Sequence, residues 1–278
     1  MAINRKSGFF ENRGGKKLFY TLTMPETYSA VWVFCNPFIE EKVYTASVYK
    51  YFSDYLAKNG LAVMRFDYLG DGDSEGTIED VDLDYWRNDI IDACQYVGSI
   101  CGNSSLNLFG LRLGASLAWD VANKIKVEQI LLWEPILDGE DYLNQLLRYN
   151  LTTQLATYGK VNEERSDLIQ RLNEGGTVNV LGYEIHQSLA NTLSNLQMKA
   201  ESIPECKVNI VALSLTSSLK PSGPLSLLVK DTSADLVMVK ARPFWHEPRF
   251  IDVRQQALVD TSMELVIENE NNRCSVCN

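Results

Sequence analysis

The sequence lacks several features on which common protein functions depend. It contains only two histidines among 278 residues, and no uncharged apolar run approaches the roughly 18 residues of a membrane-spanning helix. It also lacks an excess of positive charge, because 26 Lys and Arg residues stand against 36 Asp and Glu residues, for a formal net charge of −10. We therefore predict no membrane span, and we do not expect nucleic acid or an anionic membrane surface as a general partner.

Cysteine is also scarce, and its spacing does not define a site. Six cysteines are present, and the N-terminal segment has no apolar run of signal-peptide length, so we expect a cytoplasmic protein with free thiols. Cys274 and Cys277 form a C-x-x-C pair, but no second Cys or His pair at metal-ligand spacing accompanies them. We predict neither a metal site nor a cofactor.

Apolar runs alternate with helical patterns over the first half of the chain. A hydrophobic content of 45% over 278 residues is enough for a large core. The alternation is typical of a mostly parallel sheet with helices on both faces. Residues 7–25 resemble an opening antiparallel hairpin that turns at Gly14 and Gly15. The following strands are predicted at AVWVFCNP (30–37), LAVMRFDY (61–68), LNLFG (106–110) and VEQILLWEP (127–135).

Helical spacing replaces the alternating pattern in the middle of the chain, over residues 137–201. Strand patterns resume after it, with CKVNIVALSL (206–215) and ADLVMVKA (234–241). We therefore expect a doubly wound α/β core, formed by residues 1–136 and 202–278, that is interrupted by one all-helical cap. An insertion of this kind lies over the C-terminal edge of such a sheet.

The stretch LFGLRLGASLA, residues 108–118, has the pattern of a nucleophile elbow, in which a strand meets a helix at Gly-x-Ser-x-Gly. Arg112 stands where a serine hydrolase carries its attacking hydroxyl. A guanidinium stays protonated at any usable pH and cannot attack a carbonyl. The stretch therefore predicts a sharp strand-to-helix turn that presents a charged side chain instead of a nucleophile.

Together with the strand order, four segments resemble the α/β-hydrolase superfamily. Within it, the chain is most similar to the hydrolase-like proteins associated with the exosortase A system, which share a GLRLG elbow. The resemblance implies an α/β-hydrolase fold with a cap, and relatives that are serine esterases or peptidases. The segments are FCNPFIEEK (34–42), FDYLGDGDSEG (66–76), FGLRLGAS (109–116) and LLWEPILDGEDYLNQLLR (131–148).

Arg112 opposes the dipole of the helix that it precedes, so we expect a carboxylate partner or an anionic ligand beside it. Glu40 and Glu41, after the third strand, and Glu134, at the end of the sixth strand, are the candidate partners. A paired Arg112 would hold loops together, whereas an unpaired one would bind a carboxylate or a phosphate. The predicted ligand-binding residues are Phe38, Glu41, Leu111, Arg112 and Glu134.

The acid and base of a hydrolase are harder to place. His246 follows the last predicted strand, where the fold places its catalytic histidine, but it could instead cap the following helix. Cys35 ends the third strand and could form a Cys–His pair with His246, although a cysteine in AVWVFC is usually a small buried apolar side chain. After the seventh strand the chain reads SLTSSLKPSG, without the Asp that would orient an imidazole.

Three functions fit this pattern. The first is a hydrolase-like binding or accessory protein that lacks the serine nucleophile and holds a small, anionic ligand near Arg112. The second is an active hydrolase of a small ester, thioester or amide that uses His246 and Cys35. The third is a scaffold whose pocket is filled by its own side chains. The sequence favours the first, because both the nucleophile and the orienting acid are missing.

Overall fold

The computed structural model describes residues 2–102, 104–246 and 254–276. Its strands are β1 (Ile3–Glu11), β2 (Lys17–Pro25), β3 (Ala30–Cys35), β4 (Leu61–Phe66), β5 (Ser105–Leu111), β6 (Gln129–Trp133), β7 (Val178–Val180), β8 (Tyr183–Ile185), β9 (Lys207–Ser214) and β10 (Asp235–Lys240). Eight of them form one sheet in the order β1-β2-β4-β3-β5-β6-β9-β10. The pairs β1–β2 and β2–β4 are antiparallel. The remaining neighbours in the sheet, in the order β4-β3-β5-β6-β9-β10, pair parallel. The predicted mostly parallel sheet is confirmed.

Helices cover both faces of the sheet. They are α1 (Ile39–Lys58), α2 (Leu83–Cys101), α3 (Leu113–Ala122), α4 (Gly139–Tyr158), α5 (Arg165–Asn173), α6 (Gln187–Ser194), α7 (Gly223–Lys230) and α8 (Gln256–Val276). α1 and α8 share one hydrophobic core with the sheet, while α2, α3 and α7 belong to the core on the other face. Within the described residues, no helix combines the length and the apolarity that a membrane crossing requires.

The central strands are apolar on both faces, which explains their continuous hydrophobic runs. All six residues of β3 are buried. Side chains alternate along a strand, so Phe34 packs in the core under α1 while its neighbour Val33 packs in the opposite core. In the register of β3 and β5, Cys35 lies beside Gly110. The loops that follow these strands therefore meet at one edge of the sheet, where ligand sites of such sheets lie.

Residues 137–201 lie between β6 and β9 and are called the insertion below. They contain α4, α5 and α6, but also the antiparallel pair β7 and β8, so the expectation of an all-helical segment was wrong. The two strands join through Leu181 and Gly182, both at positive φ, which is the backbone of a tight hairpin turn. The alternating run VNVLGYEI with its central Gly is the sequence signal for this hairpin.

Candidate functional site

The turn between β5 and α3, residues 110–114, is called the Arg112 turn. Arg112 lies at its tip with φ 54° and ψ −123°, a region of backbone space that residues with a Cβ rarely adopt. The backbone is held there on both sides, because the Arg112 N–H donates to the carbonyl of Trp133 at 2.9 Å and the Arg112 carbonyl accepts from the N–H of Ala115 at 3.0 Å. The backbone conformation and these two hydrogen bonds therefore fix the direction in which the Arg112 side chain leaves the turn.

Two glycines make this turn possible. A Cβ on Gly110 would lie 2.4 Å from the backbone carbon of Gly114. A Cβ on Gly114 would lie 2.2 Å from the carbonyl oxygen of Cys35. Both distances are far below van der Waals contact, so the close approach of α3 to β3 and β5 requires glycine at both positions.

The side chain of Arg112 is paired. Its Nε donates to Oε1 of Glu41, on the first turn of α1, at 3.2 Å, and the two side chains are only 12% and 10% exposed. The other carboxylate oxygen of Glu41 accepts from the hydroxyl of Tyr142, on α4, at 3.0 Å. One carboxylate thus connects the Arg112 turn to the insertion. Of the three glutamates proposed from the sequence, Glu41 is the one that contacts Arg112.

Two aromatic rings flank the guanidinium. Its central carbon lies 5.5 Å from the ring centroid of Tyr142 and 5.1 Å from that of Trp245, both within the range of cation–π attraction. These rings fix the orientation of the guanidinium. Among the described residues, Glu41 is the hydrogen-bond partner of this side chain, which it contacts through Nε.

Burial dominates the electrostatics of the pair. It raises the pKa of Glu41, while the positive charge of Arg112 and the hydroxyl of Tyr142 oppose the rise. The carboxylate is therefore costly to keep ionised in this place, and Arg112 is the main group that reduces the cost. Removing Arg112 would leave a buried acid that prefers its proton.

Glu134 also lies near Arg112, but its carboxylate has a different hydrogen-bond partner. It follows β6 at φ 43°, and its carboxylate accepts a hydrogen bond from the backbone N–H of Leu213. Burial raises the pKa of Glu134, while that hydrogen bond and the charge of Arg112 oppose the rise. Glu134 therefore connects the ends of β6 and β9, without a direct hydrogen bond to Arg112 in the described structure.

The two predicted apolar lining residues take different places. Phe38 precedes α1, and its ring packs against Trp86 and Tyr142 at centroid distances of 5.5 and 6.4 Å. Leu111 is fully buried in the core beneath α1 and α8. Only Phe38 therefore lies beside the groups that surround Arg112, because the alternation of β5 directs Leu111 into the core.

Both ring nitrogens of His246 are engaged. Nε2 accepts from the indole N–H of Trp245 at 2.9 Å, and Nδ1 lies 3.0 Å from the hydroxyl of Tyr149, on α4. Because Nε2 accepts, a neutral imidazole carries its proton on Nδ1 and donates it to Tyr149. Burial lowers the pKa of His246, and the charge of Arg112 lowers it further. The neutral form is favoured.

The candidate thiol is not a hydrogen-bond partner of this histidine in the described structure. Cys35 is completely buried, burial raises its pKa well above the ordinary value, and a thiol rather than a thiolate is a poor nucleophile. The hydrogen-bond partners of His246 in the described structure are Tyr149 and Trp245, not Cys35. Ser116 is no substitute, since its hydroxyl is buried and donates to the carbonyl of Ile136 at 2.7 Å.

Tyr142 and Tyr149 were not predicted as parts of this site. Both lie on α4, where Tyr142 is buried and Tyr149 is half-buried. Their spacing of seven residues places them on one side of a helix, which is the signal that the sequence did offer. No cluster of three His, Cys, Asp or Glu side chains that could hold a metal ion occurs in the part of the chain that the structure describes.

Solved structures with the same architecture are esterases and related hydrolases. Est1E from Butyrivibrio proteoclasticus, a structure with ferulic acid bound, has a TM-score of 0.67 at 14% identity and covers 95% of this chain and 99% of its own. An esterase from Pyrococcus furiosus has a TM-score of 0.66 at 12% identity, covering 96% and 91%. The α/β-hydrolase GrgF from a Penicillium species has a TM-score of 0.61 at 15% identity, covering 94% and 99%.

No protein-family model matches the sequence, and no curated protein matches it with significance. At identities this low, structural similarity establishes the fold and leaves the activity to be argued from the site. The sheet order, its parallel pairing and these neighbours identify the chain as an α/β-hydrolase-fold protein.

Proposed function

We propose that this protein is a non-hydrolytic member of the α/β-hydrolase fold that binds a small ligand at the Arg112 turn. The observation that carries the proposal is the residue at the tip of that turn. Its backbone has the strained strand-to-helix geometry of a nucleophile elbow, but a guanidinium has no lone pair with which to attack a carbonyl. The residue at the position of the catalytic nucleophile therefore cannot attack an ester or amide carbonyl.

The other parts of a hydrolytic triad give no support for displaced chemistry. Cys35 is buried as a neutral thiol, and both nitrogens of His246 are engaged. Asp235, the acid that begins β10, pairs with Lys207 at 2.5 Å. Lys207 begins β9, so this acid lies at the opposite edge of the sheet from Arg112. It is not placed to orient His246.

The ligand is a small carboxylate or another small anion, held by the Nη donors of Arg112. Glu41 balances most of the positive charge, so the affinity is expected to be modest and to rest on directed hydrogen bonds. The insertion acts as a cap, with Tyr142 fixing Glu41 from above. The cytoplasmic location and the likeness to proteins of the exosortase A system stay predictions from the sequence.

Hydrolysis and binding are tested separately. We expect the wild-type protein to hydrolyse p-nitrophenyl acetate and butyrate no faster than buffer, and Arg112→Ser to gain no useful turnover, because the orienting acid is also missing. Acetate and inorganic phosphate, titrated by calorimetry, should bind to the wild type and to the control Arg148→Met, an exposed arginine on α4. Binding should weaken about tenfold in Arg112→Met.

Ester turnover that is lost in His246→Ala would show an active hydrolase and overturn the proposal. Failure of acetate and phosphate to bind at Arg112 would leave a filled, non-binding site and would favour the scaffold function. Substantial turnover by Arg112→Ser would show that an orienting acid is present after all.

A further inference from the structure

A cavity lies between α1 and the β2–β4 part of the sheet. Its volume is about 160 Å³, similar to engineered cavities of about 150 Å³ that hold a benzene molecule. The walls come from the sheet below and from α1 above. They include Phe19, Thr21, Tyr49, Arg65, Phe66 and Asp67.

Arg65, on β4, is the unusual member of this lining. Its Nε is buried and has no hydrogen-bond partner, and the described residues offer its guanidinium no ion pair. Burial lowers the pKa of Arg65, while Asp54 and Asp67 raise it. An arginine stays charged in proteins, so the cavity wall carries a positive charge without a direct counter-ion.

The two carboxylates near Arg65 are already paired with other cations. Asp54 binds Arg5 at 2.9 Å and Lys50 at 3.0 Å. Asp67 binds Lys42 at 2.7 Å, and its other oxygen accepts from the backbone N–H of Asp73 at 3.0 Å.

Lys42 also binds Asp71 at 2.7 Å. The charged residues that line the cavity are Lys42, Arg65 and Asp67, and because Asp67 pairs with Lys42, Arg65 is the cation among them without a direct ion pair in the described structure. A partly buried charge is costly unless a counter-ion or hydrogen-bond acceptor meets it.

The other lining residues provide a hydroxyl group and apolar surface that a ligand could contact. Thr21 shares a hydrogen bond of 3.1 Å with Ser7, in which either hydroxyl can donate. When Ser7 donates, the Thr21 hydroxyl is free to donate to a ligand oxygen. Phe19 and the ring of Tyr49 provide apolar surface for a short hydrocarbon body.

We propose that this cavity is a binding site for a short-chain aliphatic carboxylate, whose carboxylate group pairs with Arg65 and whose hydrocarbon body packs against Phe19 and Tyr49. Thr21 donates a further hydrogen bond. The volume admits a ligand of about the size of propionate or butyrate. This site is distinct from the Arg112 turn, since Glu41 and Lys42, adjacent in α1, face different partners.

The test is calorimetric titration of the full chain with propionate, with butyrate and with inorganic phosphate. We expect saturable carboxylate binding at millimolar concentration or tighter, weakened about tenfold in Arg65→Met and less in Arg65→Lys. Ala46 lines the cavity from an exposed position on α1, so Ala46→Leu should block binding without disturbing the core. Ser47→Leu is the matched control, because Ser47 is exposed on the same helix and should leave the affinity unchanged.

Arg112→Met separates this proposal from the proposed function. Propionate binding that survives in Arg112→Met and is lost in both Arg65→Met and Ala46→Leu would establish the cavity site, whatever happens at the Arg112 turn. Carboxylate binding unaffected by Arg65→Met and by Ala46→Leu would overturn it, as would the absence of carboxylate binding. Binding of phosphate but not of propionate or butyrate would also overturn it, because the apolar walls would then contribute nothing.

Discussion

Arg112 and Arg65 are both partly buried arginines at the edge of the same sheet, but their surroundings are opposite. Arg112 has a carboxylate partner, two flanking rings and almost no exposed surface. Arg65 lines a cavity, and its Nε has no hydrogen-bond partner among the residues that the structure describes. The position that looks like a reactive site from the sequence is thus the electrostatically satisfied one. The arginine in an ordinary strand carries the unbalanced charge.

The difference shows that a local motif does not decide what a charged side chain does. Glu41 precedes Arg112 by 71 residues, and Tyr142 reaches the same carboxylate from the insertion. Near Arg65, the carboxylates of Asp54 and Asp67 are paired with other cations. The number of competing cations around each carboxylate, rather than the sequence next to each arginine, determines which guanidinium remains unpaired.

The largest difference between the two arginines is expected in the free energy of unfolding when each is replaced by methionine. Arg112→Met should lower the free energy of unfolding at neutral pH by about 2 kcal/mol, because it leaves Glu41 buried without its cation. Values of about 3–5 kcal/mol apply to fully buried pairs, and Glu41 can take up a proton instead. Arg65→Met should cost nothing or stabilise slightly, since it removes an uncompensated charge. Urea denaturation of both variants measures the contrast, and equal losses would contradict it.

A smaller effect of Arg112→Met is expected in the way its free energy of unfolding depends on pH. Burial raises the pKa of Glu41 above its ordinary 4.5, and Arg112 opposes the rise, so Arg112→Met should raise it further. A carboxyl pKa raised by folding contributes stability below the unfolded value, and this contribution is lost as the pH rises through the folded value. The loss is larger without Arg112.

The stability gap between wild type and Arg112→Met should therefore open as the pH rises above about 4.5 and close below it. Urea denaturation at a series of pH values, with Arg65→Met as the control, measures the gap. A gap that widens on acidification would mean that Arg112 raises rather than lowers the pKa of Glu41, and would contradict the account.

The sequence predicted those features of the fold that depend on residues close together in the chain. The apolar runs predicted β3 to β6, the Gly14–Gly15 turn predicted the opening hairpin, and Gly110 with Gly114 predicted the sharp turn. These features depend on short-range backbone chemistry and on two-sided burial, which leave direct marks in the residue pattern.

The parts that the sequence did not predict depend on tertiary packing. Glu41 was one of three candidate partners for Arg112, and only the position of α1 over the sheet selects it. Tyr142 and Tyr149 share one side of α4, but only their tertiary contacts with Glu41 and His246 bring them into the site. The cavity beside Arg65 is formed by two elements of which neither is unusual in sequence, so it could not be foreseen.

The most direct test of the central claim, that Arg112 pairs with Glu41 and is not a reactive group, is a double-mutant cycle. Unfolding free energies would be measured at neutral pH for the wild type, Arg112→Met, Glu41→Gln and the double variant. We predict a favourable coupling of about 1–2 kcal/mol between the two side chains. A coupling below about 0.5 kcal/mol, the usual limit for independent sites, would show that the pair does not hold the Arg112 turn and would contradict the account.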